Sequence, residues 1–406
     1  MVIGILTYHN VCNFGANLQT LSTVEFLRRC GHDPKVINWS NPELDLQYKA
    51  SVTESQFNEH KRFIELHFPL TRQARSDYEI AQIIAEENIE AIIVGSDAVA
   101  QHHPWLSRIV FPTRKIIQVV DITPDRVCPN QFWGSFLKYV DKDLPMAMMS
   151  VSSQNSAFKL MSRKEIIVMN ECLSKFSYIS TRDDWTAKMI KYVTGGRIIP
   201  DVTPDPVFAF NNNVGFVPTW NEIRERFQLP EKYILLSFLN SRTVSKEWLS
   251  EFEQICEQHG IKCYALPFPS GIHFNNSIKQ SIQLPLSPLD WYSLIKYSQG
   301  YVGNNMHPIV VSLHNGVPCF SFDNYGIRRL RVIVNEKTSK IYHIMKSFNL
   351  LDNRRACSKL FERTVSPQIV FEKLQEFDRE KVKEQSDLYY KNYLRMMSSI
   401  LDSFVE

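Results

Sequence analysis

No glycine-rich phosphate loop, HExxH, GxSxG or CxxC motif occurs in the 406 residues. P-loop nucleotide hydrolases, helix-borne zinc peptidases, nucleophile-elbow hydrolases and CxxC redox or zinc modules are thereby excluded. Charge of one sign is also missing. The 46 basic and 43 acidic residues leave a net charge of +3 with no long basic run, so the electrostatic footprint needed to bind nucleic acid is absent. Apolar runs such as Met146–Val151 and Ile309–Leu313 fall far short of the ~20 residues that span a bilayer. The opening MVIGILTYHN has neither the basic start nor the small-residue cleavage pattern of a signal peptide. Eight cysteines stand singly, at Cys12, Cys30, Cys128, Cys172, Cys256, Cys263, Cys319 and Cys357, without zinc spacing. That usage fits free thiols in a reducing cytoplasm, and no metal site is expected.

What is present is an ordinary globular composition, 44% hydrophobic and 22% charged, long enough for two domains. Val2–Tyr8 reads as a buried strand, Ala16–Cys30 as a helix stopped by Gly31, and Pro34–Trp39 as a second strand. Strand, helix, strand opens a parallel sheet. Further strands are expected at Ala91–Gly95, Lys115–Val120, Met146–Ser153, Ser177–Thr181 and from Arg197. Tyr233–Phe238, Ile261–Leu266, Tyr301–Val302 and Pro318–Phe322 then build a second sheet. The expected organisation is an N-terminal Rossmann-like domain over 1–210, a linker over 211–230, a C-terminal Rossmann-like domain over 231–350, and a helical segment over 351–406 that packs back on the first domain.

In parallel sheets the loops after the strands border the ligand crevice. Six such places carry chemistry here. Asn13–Gln19 follows the first strand: Gly15 suits a tight turn, and Asn13 either caps the helix or meets a ligand. Gly95-Ser96-Asp97 offers a carboxylate for a hydroxyl group, or another helix cap. Arg182, after Thr181, could grip phosphate or carboxylate, or form an ion pair, with Asp183 or Asp184 capping the next helix. Asp205 sits in a proline-fixed loop. Gly303-Asn304-Asn305-Met306-His307 leads into a helix, where a neutral His307 can contact a ligand oxygen or move a proton. Asp323–Arg329 could add Arg328 or Arg329 to the crevice.

The ordered blocks resemble the polysaccharide pyruvyl transferase family. They are Gly4–Tyr8 with Asn13–Gln19, Ile93–Asp97, Ile179–Asp183, Asp205-Pro206, Leu286-Ser287-Pro288 with Trp291, Gly303–His307 and Gly316-Val317-Pro318. The resemblance implies an α/β fold of two Rossmann-like domains in a glycosyltransferase-B-like arrangement. It implies transfer of a pyruvyl group from phosphoenolpyruvate to a sugar, as a ketal, with phosphate released and no cofactor. The acceptor is then a lipid-linked or nucleotide-linked precursor of a capsule or exopolysaccharide, handled in the cytoplasm or at the inner face of the membrane. Homo-oligomerisation is left open. Carried onto this chain, His307, Asp97 and Arg182 are the catalytic residues. Arg182, Asn305, His307, Arg328 and Arg329 face the donor. Asn13, Gly15, Asn17, Gln19, Ser96, Asp97 and Asp205 face the acceptor. Asn305 departs from an Arg found there in some members. A nucleotide-sugar glycosyltransferase and a non-catalytic glycan-assembly partner are the competing readings.

Overall fold

The computed structural model describes residues 1–110, 118–239, 243–273, 278–329, 332–357 and 365–405. Six strands form the first sheet: β1 (Val2–Leu6), β2 (Asp33–Val36), β3 (Ala91–Asp97), β4 (Met146–Val151), β5 (Tyr178–Thr181) and β6 (Asp201–Val202). All pair in parallel, in the order β2-β1-β3-β4-β5-β6. Five strands form the second: β7 (Tyr233–Ser237), β8 (Lys262–Ala265), β9 (Gly300–Gly303), β10 (Cys319–Asp323) and β11 (Arg354–Ala356), in the order β8-β7-β9-β10-β11. The central strands are continuous apolar runs because layers cover both faces of each sheet. Every residue of β4 and β7 is buried. In each sheet the order reverses beside the first strand, between β1 and β3 and between β7 and β9. That reversal opens a crevice at the strand C-termini.

The helices that shape the site are α1 (Phe14–Arg29), α2 (Glu54–His67), α3 (Pro288–Lys296), α4 (Met306–His314), α5 (Lys340–Ser347) and α6 (Arg379–Asp402). α1 is buried along its whole first half, from Phe14 to Val24, because it is wedged between the lobes against α3 and α4. Phe14 stacks on Trp291 at 5.3 Å between centroids. Gln56, buried on α2, adds a polar lock. Its amide donates to the Leu286 carbonyl (2.9 Å) and accepts from the Leu286 N–H (2.7 Å).

One apolar cluster consequently runs through both lobes. It links Ile3 and Ile5 of β1, Leu18 and Leu21 of α1, Tyr233 and Leu235 of β7, and Ile309 and Val310 of α4. α6 contributes Tyr393, Met396, Met397 and Ile400 to the same cluster. That last helix packs on α4, on β4 and β5, and on the turn at Pro206–Ala209. Two further clusters fill the outer faces, one around Phe132, Trp133 and Met148, the other around Trp248, Phe252 and Phe371.

Several elements differ from the sequence reading. Of the strand expected at Lys115–Val120, residues 115–117 lie outside the described part. Gln118–Val119 pairs antiparallel with Ile109–Val110, apart from the main sheet. The stretch expected as linker carries two helices, Phe210–Asn213 and Trp220–Phe227, the second started by a Thr219/Glu222 capping box. The tail is broken into Pro367–Gln375 and α6, with Asp378 capping the latter. Pro42–Ser51, α5 and β11 were not anticipated. Each is short, and its ends are set by caps and tertiary packing more than by apolar periodicity.

Candidate active site

The C-terminal ends of the two sheets face one another, and His307 crosses between them. It is the second residue of α4, after the N-cap Asn305 and Met306, and is 6% exposed. Its imidazole lies on Gly15 of α1. A Cβ built on Gly15 would fall inside the van der Waals radius of the His307 ring. Gly15 is therefore not the tight turn that the sequence suggested. It sits within a regular helix and is small so that a side chain from the other lobe can rest on it. Asn13 caps that helix, accepting from the N–H groups of Gly15 (3.1 Å) and Ala16 (3.3 Å), and still borders the crevice.

Two cavities open here. The first, about 180 Å³, is bordered by Tyr8, Asn13, Asp97, Arg126, Asn305, His307, Tyr325 and Lys340. The second, about 230 Å³, is bordered by Arg182, Thr203, Asp205, Met306, Lys340, His343, Ser347 and Tyr389. Lys340 belongs to both.

Between them runs a buried chain of charges. Arg182 donates to Asp205 at 2.9 Å and lies 3.6 Å from Asp97. Asp205 also accepts from Gln19 at 2.5 Å and from the Val207 N–H at 3.0 Å. Arg182, Asp205 and Gln19 thus hold one another. Nε and Nη2 of Arg182 and Nε2 of His307 remain without hydrogen-bond partners among the described residues. Asp97 ends β3 with φ of +86°, a left-handed conformation that costs a side-chain-bearing residue energy and clusters at functional sites. Its carboxylate accepts from the Ala98 N–H at 2.8 Å.

Burial dominates the electrostatics. It pushes the pKa of His307 down to about 4, although Asp205 and Asp97 pull the other way, so the imidazole is neutral at pH 7. Burial also lowers Lys340 to about 8, helped by the charge of Arg182. Burial alone would raise Asp97, but Arg182, His307 and Lys340 outweigh it and hold the carboxyl below its usual range. The same carboxylates overcome desolvation at Arg182 and hold it charged.

Lys340 is the residue that sequence reasoning missed. It is the first residue of α5, started by Ser339, whose hydroxyl accepts from Ile341 N–H and donates to Asp323 at 2.6 Å. Asp323 ends β10, pairs with Arg354 at 2.7 Å and receives the Tyr325 N–H at 2.8 Å. The Lys340 ammonium lies over the Tyr325 ring, 4.8 Å from its centroid, and has no hydrogen-bond or ion-pair partner among the described residues. One signal was available in the sequence. A lysine directly after a Ser N-cap opposes the helix dipole, and a residue that works against its own helix is a candidate for function.

The other expected residues divide. Asn305 borders the first cavity without capping α4 by its side chain. Ser96 is turned into the sheet and donates to the Ser150 carbonyl at 2.9 Å. Asn17 donates to the His9 carbonyl at 3.0 Å, and Gln19 is committed to Asp205. Asp205 anchors Arg182 beside the second cavity, away from the first. Asp183 caps its helix through Thr186, and Ser152 also donates to it. The side chains of Arg328 and Arg329 lie outside what the structure describes; their backbone forms an antiparallel ribbon with Val332–Asn335. His314 accepts from the Asn211 N–H at 3.2 Å and is structural. Gly303 lies in β9, where a Cβ would strike the Ser237 carbonyl and the Tyr301 ring.

Among the described residues no group of three metal-binding side chains is found, and no helix is long and apolar enough to cross a membrane. A family model described as polysaccharide pyruvyl transferase matches residues 13–325. No curated protein matches by sequence. Among solved structures, the UDP-GlcNAc 2-epimerase from Neisseria meningitidis, bound to UDP-GlcNAc, aligns with a TM-score of 0.54 at 9% identity, over 98% of this chain and 99% of that one. A ugt transferase from Siraitia grosvenorii, in complex with UDP, aligns with a TM-score of 0.51 at 10% identity, over the whole of both chains. These likenesses establish the two-lobed glycosyltransferase-B-like fold.

Proposed function

The chain belongs to the polysaccharide pyruvyl transferase family, and from that premise we propose that it transfers the pyruvyl group of phosphoenolpyruvate to two hydroxyls of a sugar, forming a ketal and releasing phosphate. The observation that carries this reading is the first cavity: about 180 Å³, with Lys340 and Arg126 on its wall beside Asp97 and a neutral His307. That size and charge suit a small donor bearing a carboxylate and a phosphate.

In this reading Lys340, near pH 8 in its titration, gives its proton to the methylene carbon of the donor. The central carbon becomes electrophilic, and a sugar hydroxyl adds to it while Asp97 takes the hydroxyl proton. The second hydroxyl then attacks the same carbon as its bond to phosphate breaks. Its proton returns to Lys340, and the proton on Asp97 leaves with the phosphate. His307 holds a phosphate oxygen, and the bound anion raises the imidazole pKa from its empty-site value. Arg182 acts one step back, fixing Asp97. Asn13 and Asn305 are left to meet the acceptor and donor edges. The acceptor is a glycan precursor carried on a lipid or a nucleotide.

A second reading, transfer or rearrangement of a nucleotide-linked sugar, draws support from the fold, since the neighbours above are described with UDP-GlcNAc and UDP. It requires room for a base and ribose beyond the first cavity. Phosphate release from phosphoenolpyruvate, measured with a panel of lipid- and nucleotide-linked glycans, separates the two. Acceptor-dependent release in the wild type, reduced at least ~100-fold in His307→Ala and Lys340→Met, is expected. Consumption of a nucleotide sugar without acceptor-dependent release overturns the first reading.

A further inference from the structure

We propose that the second cavity is a separate compartment for inorganic phosphate, lying on the far side of Lys340 from the first. Its unused groups are donors. Arg182 is 4% exposed, borders this cavity and not the first, and leaves Nε and Nη2 without a hydrogen bond. Nη2 is ion-paired with Asp97 at 3.6 Å, too long for a hydrogen bond, so among the described residues Nε is the guanidinium donor with neither a hydrogen bond nor an ion pair. The Thr203 hydroxyl, 9% exposed, is also unpartnered. Lys340 stands on the shared wall.

Of the carboxylates in the lining, the buried Asp205 already receives Gln19, Arg182 and the Val207 N–H, while Asp184 lies at the exposed rim, 3.5 Å from His343. Buried donors without acceptors are costly to leave unmet, and a tetrahedral oxyanion would supply several acceptor oxygens at once. The volume, about 230 Å³, admits one.

α6 closes this compartment through Tyr389 and Asn392, and α5 through His343 and Ser347. It is therefore built from both lobes and the tail, whereas the first cavity is bordered by the two lobes alone. Phosphate released as the ketal ring closes would pass Lys340 and be held away from the product. That role as a product compartment rests on the proposed reaction; the binding of phosphate does not.

The test is calorimetric titration of the full chain with inorganic phosphate at pH 7, with neither phosphoenolpyruvate nor glycan present. Thr203→Val is nearly isosteric and removes one donor; it is expected to weaken binding ~10-fold. Ser347→Leu, which fills the cavity, should abolish it. Arg126→Met, on the first cavity alone, removes phosphate that binds there in the absence of donor, and should leave a single site titrating with its affinity within about twofold of the wild type. Thermal melting of each variant checks that it is folded. Unchanged binding in both second-cavity variants, loss of binding in Arg126→Met, or no heat of binding in the wild type at millimolar phosphate overturns the proposal. Because no donor is present, failure of pyruvyl transfer and failure of this compartment register separately.

Discussion

At Gly15 a single hydrogen separates a working site from a blocked one. Alanine there would drive its methyl group into the His307 ring, and a displacement of about 1 Å in a reacting group can cost ~100-fold in rate. Gly15→Ala is therefore expected to lower kcat/KM about that much while its melting temperature stays near that of the wild type. Lys340 sets a second expectation. With its pKa near 8 in the empty site, an enzyme that needs the ammonium form loses kcat/KM as pH rises above about 8, and Lys340→Met abolishes that limb. Arg182 acts on stability as well as on the site. Removing it strands Asp205, whose side chain is 1% exposed, and breaking a buried pair costs about 3–5 kcal/mol. Urea unfolding of Arg182→Ala should show that loss, with Arg182→Lys intermediate. Asp97, Arg182 and His307 were legible as candidates because the first ends a strand, the second directly follows one, and the third opens the helix that comes after one. Their division between two cavities was not, since it depends on how Arg182 is drawn toward Asp205, 23 residues away.

Among the elements, α1 was readable from its apolar spacing and its Asn13 cap, but its burial on nearly every side was not. That follows from its place between two sheets. On α2, Gln56 pairs with both backbone groups of Leu286, 230 residues on, a contact that no local pattern reports. Gln56→Ala leaves a buried N–H and a buried carbonyl unmet, at roughly 1–3 kcal/mol each. A fall in the urea midpoint of that order is expected. A substitution on the exposed face of the same helix, such as Lys61→Ala, should leave the midpoint unchanged. α5 was invisible to apolar spacing because it is eight residues long. It is set by the Ser339 cap and by Asp323, a residue of the adjacent sheet, and no local pattern reports such a contact.

Over the whole molecule, the core that joins β1, α1, β7, α4 and α6 makes the two lobes and the tail one cooperative body. A single thermal transition is expected despite the length of the chain, and ending the chain at Asp378 should yield aggregated protein by exposing the partners of Tyr393, Met396 and Ile400. Acid should be the weak direction. Burial lowers His60 and His307 to about 4 and His314 to about 3 from 6.5. Below pH 6.5 the unfolded chain takes up protons that the folded chain refuses, so stability falls as pH drops from 6.5 toward 4. Melting temperatures measured across that range should decline progressively, and His314→Gln should flatten the decline.

Legible along the chain are the parallel α/β class, the succession of strands that carry the candidate site, the family, and the placing of Asp97, Arg182 and His307 near strand C-termini. Those follow from local rules, namely apolar periodicity, caps and the crevice at the ends of parallel strands. It takes the folded arrangement to show that His307 lies on Gly15, that Arg182 and Asp205 border one cavity while Asp97 borders another, and that Lys340 stands between the two. Those outcomes depend on burial and on charges from distant segments meeting in one low-dielectric place, and no spacing along the chain encodes them.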